Sequence, residues 1–249
     1  MKMTDNYIIN SVVMIHAFNN TSESTGTAFF IEYKNNKFLV TNKHIINEKN
    51  TLLLKMRGID RKTKQKYTSI SINICIDNQS LYVDDKYDLC FFNVEKIIEE
   101  YDVNNIEIEH TFIHITDDVM KYKDIENIVI CGFPCKFIDE VNNKPIVLSG
   151  ITSTSLNTDY NGKKFFLTNT HGYKGASGSP VFRKMDNEYD LVGIMYGNKP
   201  VYKADELESE IPDKFKVLYE QTASSNINAN IKVEVLIQAL KNYNAINTK

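Results

Sequence analysis

The sequence predicts an all-β fold, a barrel or sandwich of short strands closed by one helix, and three observations carry that expectation. Residues that favour strands are plentiful, with 14 tyrosines and 13 phenylalanines beside many isoleucines and valines. Apolar runs are short and are broken by Asn, Asp, Gly and Lys, a rhythm typical of closed or stacked sheets. Hairpin-type pairs join several of them: Asn35-Asn36, Asn161-Gly162 and Asp186-Asn187. Asn-Gly is the strongest of these signals, because both residues tolerate positive φ.

Strands are expected over residues 12–18, 27–33, 37–41, 51–56, 67–76 and 88–94, then over 128–132, 146–152, 164–168, 179–184 and 189–196. Residues 231–243 carry Val233, Val235, Leu236, Ala239 and Leu240 on one stripe with lysines opposite, which predicts an amphipathic helix. The segment 95–122, rich in Ile, Glu and Asp, is weakly patterned. It is expected to hold a short helix and a linker between two halves of a single domain spanning 1–249. Those halves are about 8–100 and about 112–230, followed by the helix.

Composition narrows the function. The formal net charge is −3 with acids and bases interspersed, so no basic footprint for nucleic acid is present. The apolar run at 12–15 is too short for a signal-peptide core and nothing approaches a membrane span, so a cytoplasmic protein is expected. The four cysteines (Cys75, Cys90, Cys131, Cys135) fit that compartment as reduced thiols. Cys131 and Cys135 flank Gly-Phe-Pro without a second close pair or an adjacent His, so they read as small buried strand residues and no metal or other cofactor is expected.

The strongest chemical signal is Gly175-Ala176-Ser177-Gly178-Ser179-Pro180, leading into Val181-Phe182. Acyl transfer needs a nucleophile on a sharply turned backbone. Glycine allows both the turn and a close approach to a carbonyl. The N–H groups of Gly175 and Ser177 are then candidates for an oxyanion hole. A serine hydroxyl needs a base. His44 follows the apolar run Phe38-Leu39-Val40-Thr41 and stands at a strand exit, where a fixed but accessible base can sit. His16, His110 and His114 read as structural. Asp88 opens the apolar run Leu89-Cys90-Phe91-Phe92, so it is expected to be partly buried and paired. Asp84 and Asp85 read as solvated loop acids. The order His44, Asp88, Ser177 is one of three known orders for this constellation.

Together these motifs resemble those of trypsin-like serine peptidases. Val40-Thr41-Asn42-Lys43-His44 resembles the histidine motif, Asp88-Leu89-Cys90-Phe91-Phe92 the aspartate motif, and Gly175 through Phe182 the Ser-Gly-Ser-Pro form of the serine motif found in glutamyl endopeptidases and bacterial relatives. Gly26-Thr27-Ala28-Phe29-Phe30 is similar to the early strand of high-temperature-requirement proteases, and Leu191 through Gly197 to the strand that pairs with bound peptide. The resemblance implies a chymotrypsin-like fold of two six-stranded antiparallel β-barrels with a C-terminal helix. It implies protein or peptide substrates, a triad of His44, Asp88 and Ser177, and no cofactor. It also implies a substrate-binding pocket formed by His171, Gly172, Met195, Tyr196, Gly197 and Asn198.

Departures from the family pattern matter. Ala176 stands where secreted zymogens carry the Asp that receives a freed N-terminus, and no adaptor domain is expected after the helix. Control by a regulatory partner, an oligomer or a ligand is therefore expected, as in a conditionally activated effector of bacterial stress or phage defence. The alternative is a catalytically silent protease fold used for binding or scaffolding. The resemblance puts His171, six residues before Ser177, at the floor of the primary pocket, where a cation would lack a counter-charge. Cleavage after Lys or Arg is accordingly expected to be disfavoured relative to uncharged or acidic residues. A positional-scanning peptide library checks this. Dominant cleavage after Lys or Arg would overturn it, and loss of that preference in Asp205→Asn or Glu206→Gln would identify the acid supplying the charge.

Overall fold

The computed structural model describes residues 3–76, 81–103, 105–118, 121–135, 137–170, 172–186, 188–197 and 227–247. The chain begins with helix α1 (Asp5–Asn10) and strands β1 (Val12–Phe18), β2 (Glu23–Tyr33) and β3 (Asn36–Thr41). Helix α2 (Lys43–Ile46) leads to β4 (Thr51–Asp60), β5 (Lys66–Cys75), β6 (Leu81–Val83) and β7 (Cys90–Asn93). Helix α3 (Glu95–Val103) is followed by β8 (Ile106–Glu109) and β9 (Ile113–His114). The second half holds β10 (Asn127–Gly132), β11 (Ile146–Ile151), β12 (Phe165–Thr168), β13 (Pro180–Met185), β14 (Glu188–Gly197) and β15 (Asn228–Lys232), and helix α4 (Val233–Asn247) closes it.

The strands form two sheets, mostly antiparallel. The first has nine strands in the order β5-β4-β1-β2-β3-β7-β6, with β8 on β4 and β9 on β2. The second has six, in the order β11-β10-β13-β14-β15-β12. Its two ends meet through the bridge Thr152–Thr168, beside bonds from Ser153 N to Leu167 O (2.7 Å) and Asn169 N to Ile151 O (3.1 Å). The class is thus the expected all-β one. The first sheet carries nine strands rather than the expected six, because residues 81–83 pair with β7 and residues 106–114 pair with β4 and β2 instead of forming a free linker.

Alternation along the strands explains why so many of them read as unbroken apolar runs. Successive side chains point to opposite faces, and here both faces are covered. Val13, Ile15, Ala28, Phe30, Leu39 and Phe92 fill a core inside the first sheet. Ile128, Ile130, Phe166, Val181 and Val192 fill one inside the second. Residues of opposite parity (Met14, Phe29, Ile31, Phe38, Phe91, Val129, Phe182) join Leu236 and Leu240 of α4 in a core shared by both sheets. Arg57, buried on β4, adds a polar tie, donating to Asn143 O (2.7 Å) and Asn10 Oδ1 (2.8 Å).

Two local expectations shift and one holds. The first hairpin turns on Lys34 and Asn35, at φ 49° and 67°, one residue earlier than Asn35-Asn36. Asn161 and Gly162 do take the positive φ expected of them, 53° and 67°. Helix α4 starts at Val233 rather than residue 231, because Ile231 is claimed by the ladder between Phe165 and Ile194, and it runs on to Asn247. No helix among the described residues is long and apolar enough to cross a membrane.

Because α4 seals the shared core, Leu240→Ala, at a fully buried position, is expected to cost about 2–5 kcal/mol. Chemical denaturation checks it: the midpoint should fall with the slope unchanged.

Candidate active site

His44 lies on α2 and not in an open loop. Asn42, the residue before the helix, has extended backbone, and its side chain donates to Asp88 O at 2.8 Å instead of capping the helix. The first N–H groups of a helix lack intrahelical acceptors. Asp88 fills that role: its Oδ1 accepts from His44 N at 2.7 Å, while Oδ2 is 2.5 Å from His44 Nδ1. A carboxylate only accepts, so Nδ1 carries the proton and Nε2 is left as an acceptor. The Asp88 side chain is 15% exposed and that of His44 45%. The imidazole is therefore anchored on its buried side and open on the other. Asp84 is more than a solvated acid, since its Oδ1 accepts from Lys86 N (2.9 Å) and Tyr87 N (2.7 Å) and shapes the turn leading to Asp88.

Ser177 sits in a tight turn of the second sheet. Ala176 N donates to Tyr173 O at 3.0 Å, and Gly175 has φ 92°, the signature of a type II turn with glycine in its third position. The carbonyl of the Lys174–Gly175 peptide is held by Cys135 N at 2.8 Å. In a trans peptide the N–H points the opposite way, so Gly175 N–H faces away from Cys135. Neither Gly175 N nor Ser177 N donates to a protein acceptor among the described residues. Gly178 has φ 85°, and a Cβ there would meet Thr27 O at 2.1 Å.

Gly26 brings α2 and this turn together. A Cβ on it would lie 2.3 Å from Ile45 Cδ1, beside His44, and 3.3 Å from Ser177 O. Strand β14 closes the same space. A bulge between Met195 and Gly197 leaves Tyr196 unpaired with β15, and bulges re-aim side chains in this way. The Tyr196 ring stands edge-on to His44 with centroids 6.4 Å apart, and burial together with the negative Asp88 raises its phenol pKa. Ser177 Oγ is 3.6 Å from where a Gly197 Cβ would be.

The structure thus brings His44, Asp88, Gly175, Ser177, Tyr196 and Gly197 into one region. Met195 has its side chain buried with Ile130, Ala176 and Val181, while its backbone bonds Gly178 N and Ser179 O. Gly172 falls in the loop before the turn. His171, Asn198, Asp205 and Glu206 lie outside the described residues. His16 bonds Thr25 Oγ1 at 3.1 Å, and His110 bonds Ile108 O at 2.8 Å, both away from the site. His114, on β9, lies 3.9 Å from Glu32. Cys131 is a buried strand residue with its thiol pushed up to about 12 by burial, but Cys135 is a half-buried loop residue. Its Sγ occupies the space a Gly175 Cβ would need, at 2.5 Å.

Sequence motifs did not single out Thr41, Asn42 or the polar ladder under β14 as contributors to this region. In that ladder Asn230 Nδ2 donates to Thr168 Oγ1 at 3.1 Å, and Asn228 Nδ2 donates to Thr170 O. The only sequence signal was their place inside or beside the recognised motifs.

Comparison with known proteins bears on the fold and the family. The model of the trypsin-like peptidase domain matches residues 26–194, from the glycine between α2 and the turn to the strand beside Ser177. No curated protein sequence matches the chain. Among solved structures, the serine endoprotease from Yersinia pestis superposes with TM-score 0.56 and 15% identity over 95% of this chain. This chain spans 63% of that one, less than two thirds of its length. Catalytically active tobacco etch virus protease complexed with product superposes with TM-score 0.54 and 14% identity over 92% of this chain and 76% of that one. At such identities the structural likeness is one of fold, and the family rests on the matched domain: the chain belongs to the trypsin-like peptidases.

Proposed function

We propose that the protein is a serine endopeptidase in which Ser177 is the nucleophile, His44 the general base and Asp88 the orienting acid, acting on protein or peptide chains. The observation that carries this reading is the two-point hold of Asp88 on His44, which fixes the ring by its Nδ1 side, with Tyr196 beside His44 and Gly197 beside Ser177 Oγ on the same strand. In the proposed reaction Ser177 Oγ bonds to the scissile carbonyl carbon as its proton passes to His44 Nε2. The carbonyl electron pair moves to oxygen, where the undonated N–H groups of Gly175 and Ser177 stabilise it. Collapse breaks the C–N bond, and the imidazolium returns its proton to the leaving amine. Water then repeats the sequence on the acyl-enzyme. The carboxylate of Asp88 keeps the proton on Nδ1 throughout.

Keeping all three residues favours an enzyme over a silent scaffold. A fluorophosphonate probe, which phosphonylates activated serines, separates the two. Wild type should be labelled, and Ser177→Ala and His44→Ala should lose at least about 1000-fold in labelling rate while staying folded. Asp88→Asn should lose a comparable amount through the wrong ring tautomer, with an added stability cost because His44 N loses its charged acceptor. Labelling of His44→Ala at the wild-type rate would refute the assignment.

A further inference from the structure

Thr27, on β2 of the first sheet, is fully buried, and each of its polar atoms is used within the site. Its N–H donates to Ser177 O at 2.9 Å, and its hydroxyl donates to Gly175 O at 2.9 Å. The same hydroxyl accepts from Phe133 N at 2.9 Å. Its carbonyl accepts from Thr41 Oγ1 at 2.8 Å, three residues before His44. Two glycines make room for it: a Cβ on Gly178 would strike Thr27 O, and one on Gly132 would stand 3.1 Å from Thr27 Oγ1.

The residues held by that hydroxyl are those that shape the Ser177 turn. Phe133 opens the loop whose Cys135 N fixes the Lys174 carbonyl, and Gly175 O belongs to the peptide on the other side of Gly175. The hydroxyl therefore sits between the two supports that orient Gly175 N–H. A single buried oxygen can be both donor and acceptor here, which no aliphatic side chain can be.

We propose that Thr27 is a positioning residue for the oxyanion-stabilising turn, acting through Gly175 and Ser177 from the opposite sheet. This deepens the serine-peptidase reading and rests on it. Thr27→Val keeps the shape but leaves Phe133 N and Gly175 O buried without partners. Thr27→Ser keeps both bonds. The backbone bond to Ser177 O survives in each, so the nucleophile stays in place while the turn beside it loosens.

The test measures the maximal inactivation rate and the apparent affinity for a fluorophosphonate separately, with hydrogen exchange read over residues 172–179. Thr27→Val is expected to slow the maximal rate roughly 10- to 100-fold with apparent affinity within about 3-fold of wild type, and Thr27→Ser to restore it. Exchange at 172–179 should accelerate in Thr27→Val and not in Thr27→Ser. Should Thr27→Val fail to fold, Thr27→Ala is read the same way against Thr27→Ser. Wild-type rate and exchange in the variant, or a loss that Thr27→Ser does not recover, would overturn the proposal. Ser177→Ala runs alongside: if it were labelled like wild type the serine reading would fall, whereas a silent Ser177→Ala beside a fully active Thr27→Val would sink the positioning role alone.

Discussion

Burial on both faces of the strands is the constraint from which the site follows. Each sheet keeps a core of its own, and residues of the other parity meet in the core between them. Tight burial leaves the sheets no freedom to slide, because interiors are packed like molecular crystals. Loops from different sheets can then hold a fixed relation to one another. His44 leaves β3, Asp88 precedes β7 and Ser177 precedes β13, and β3 and β7 are paired neighbours. The base and its acid are thus set by one ladder, and the serine turn is set against them by the contact between sheets.

That contact is narrow and specific. Gly26, Gly132 and Gly178 remove three side chains at the point where β2 meets the Ser177 turn, so backbone approaches backbone. Burying bare peptide groups is costly unless every donor and acceptor finds a partner. Thr27 supplies those partners on one side and Cys135 N on the other. The N–H groups of Gly175 and Ser177 remain unspent, and in the proposed reaction they meet the developing negative charge. Donors fixed before the reaction cost little reorganisation when that charge appears.

Ala176 separates this turn from those ordered by a freed N-terminus. It is 2% exposed and packs with Ile128, Ile130 and Val192, so an apolar contact occupies the position where a zymogen places its carboxylate. Packing and the Thr27 and Cys135 bonds order the turn in its place.

Much of the fold was legible because its signals are local. β-Branched and aromatic runs, Asn-Gly at 161–162, and three motifs in a fixed order pointed to most of the strands, one hairpin and the candidate residues His44, Asp88 and Ser177. The short strands 81–83, 106–109 and 113–114 were not legible, since so few residues carry little periodicity and become strands only by pairing with β7, β4 and β2. The same holds for the start of α4, where Ile231 fits a helical stripe yet is taken by the ladder. The bulge that turns Tyr196 to His44 depends on the register between β14 and β15. The Asp88 cap on α2 and the Thr27 hydroxyl between Gly175 and Phe133 join residues 44, 148 and 106 positions apart. By itself the sequence determined which residue types could do the chemistry and which strands they would stand beside, but not that His44 would sit on a helix. Only the tertiary structure decided which backbone groups are spent and which are left facing the site, because that accounting closes only when distant strands meet.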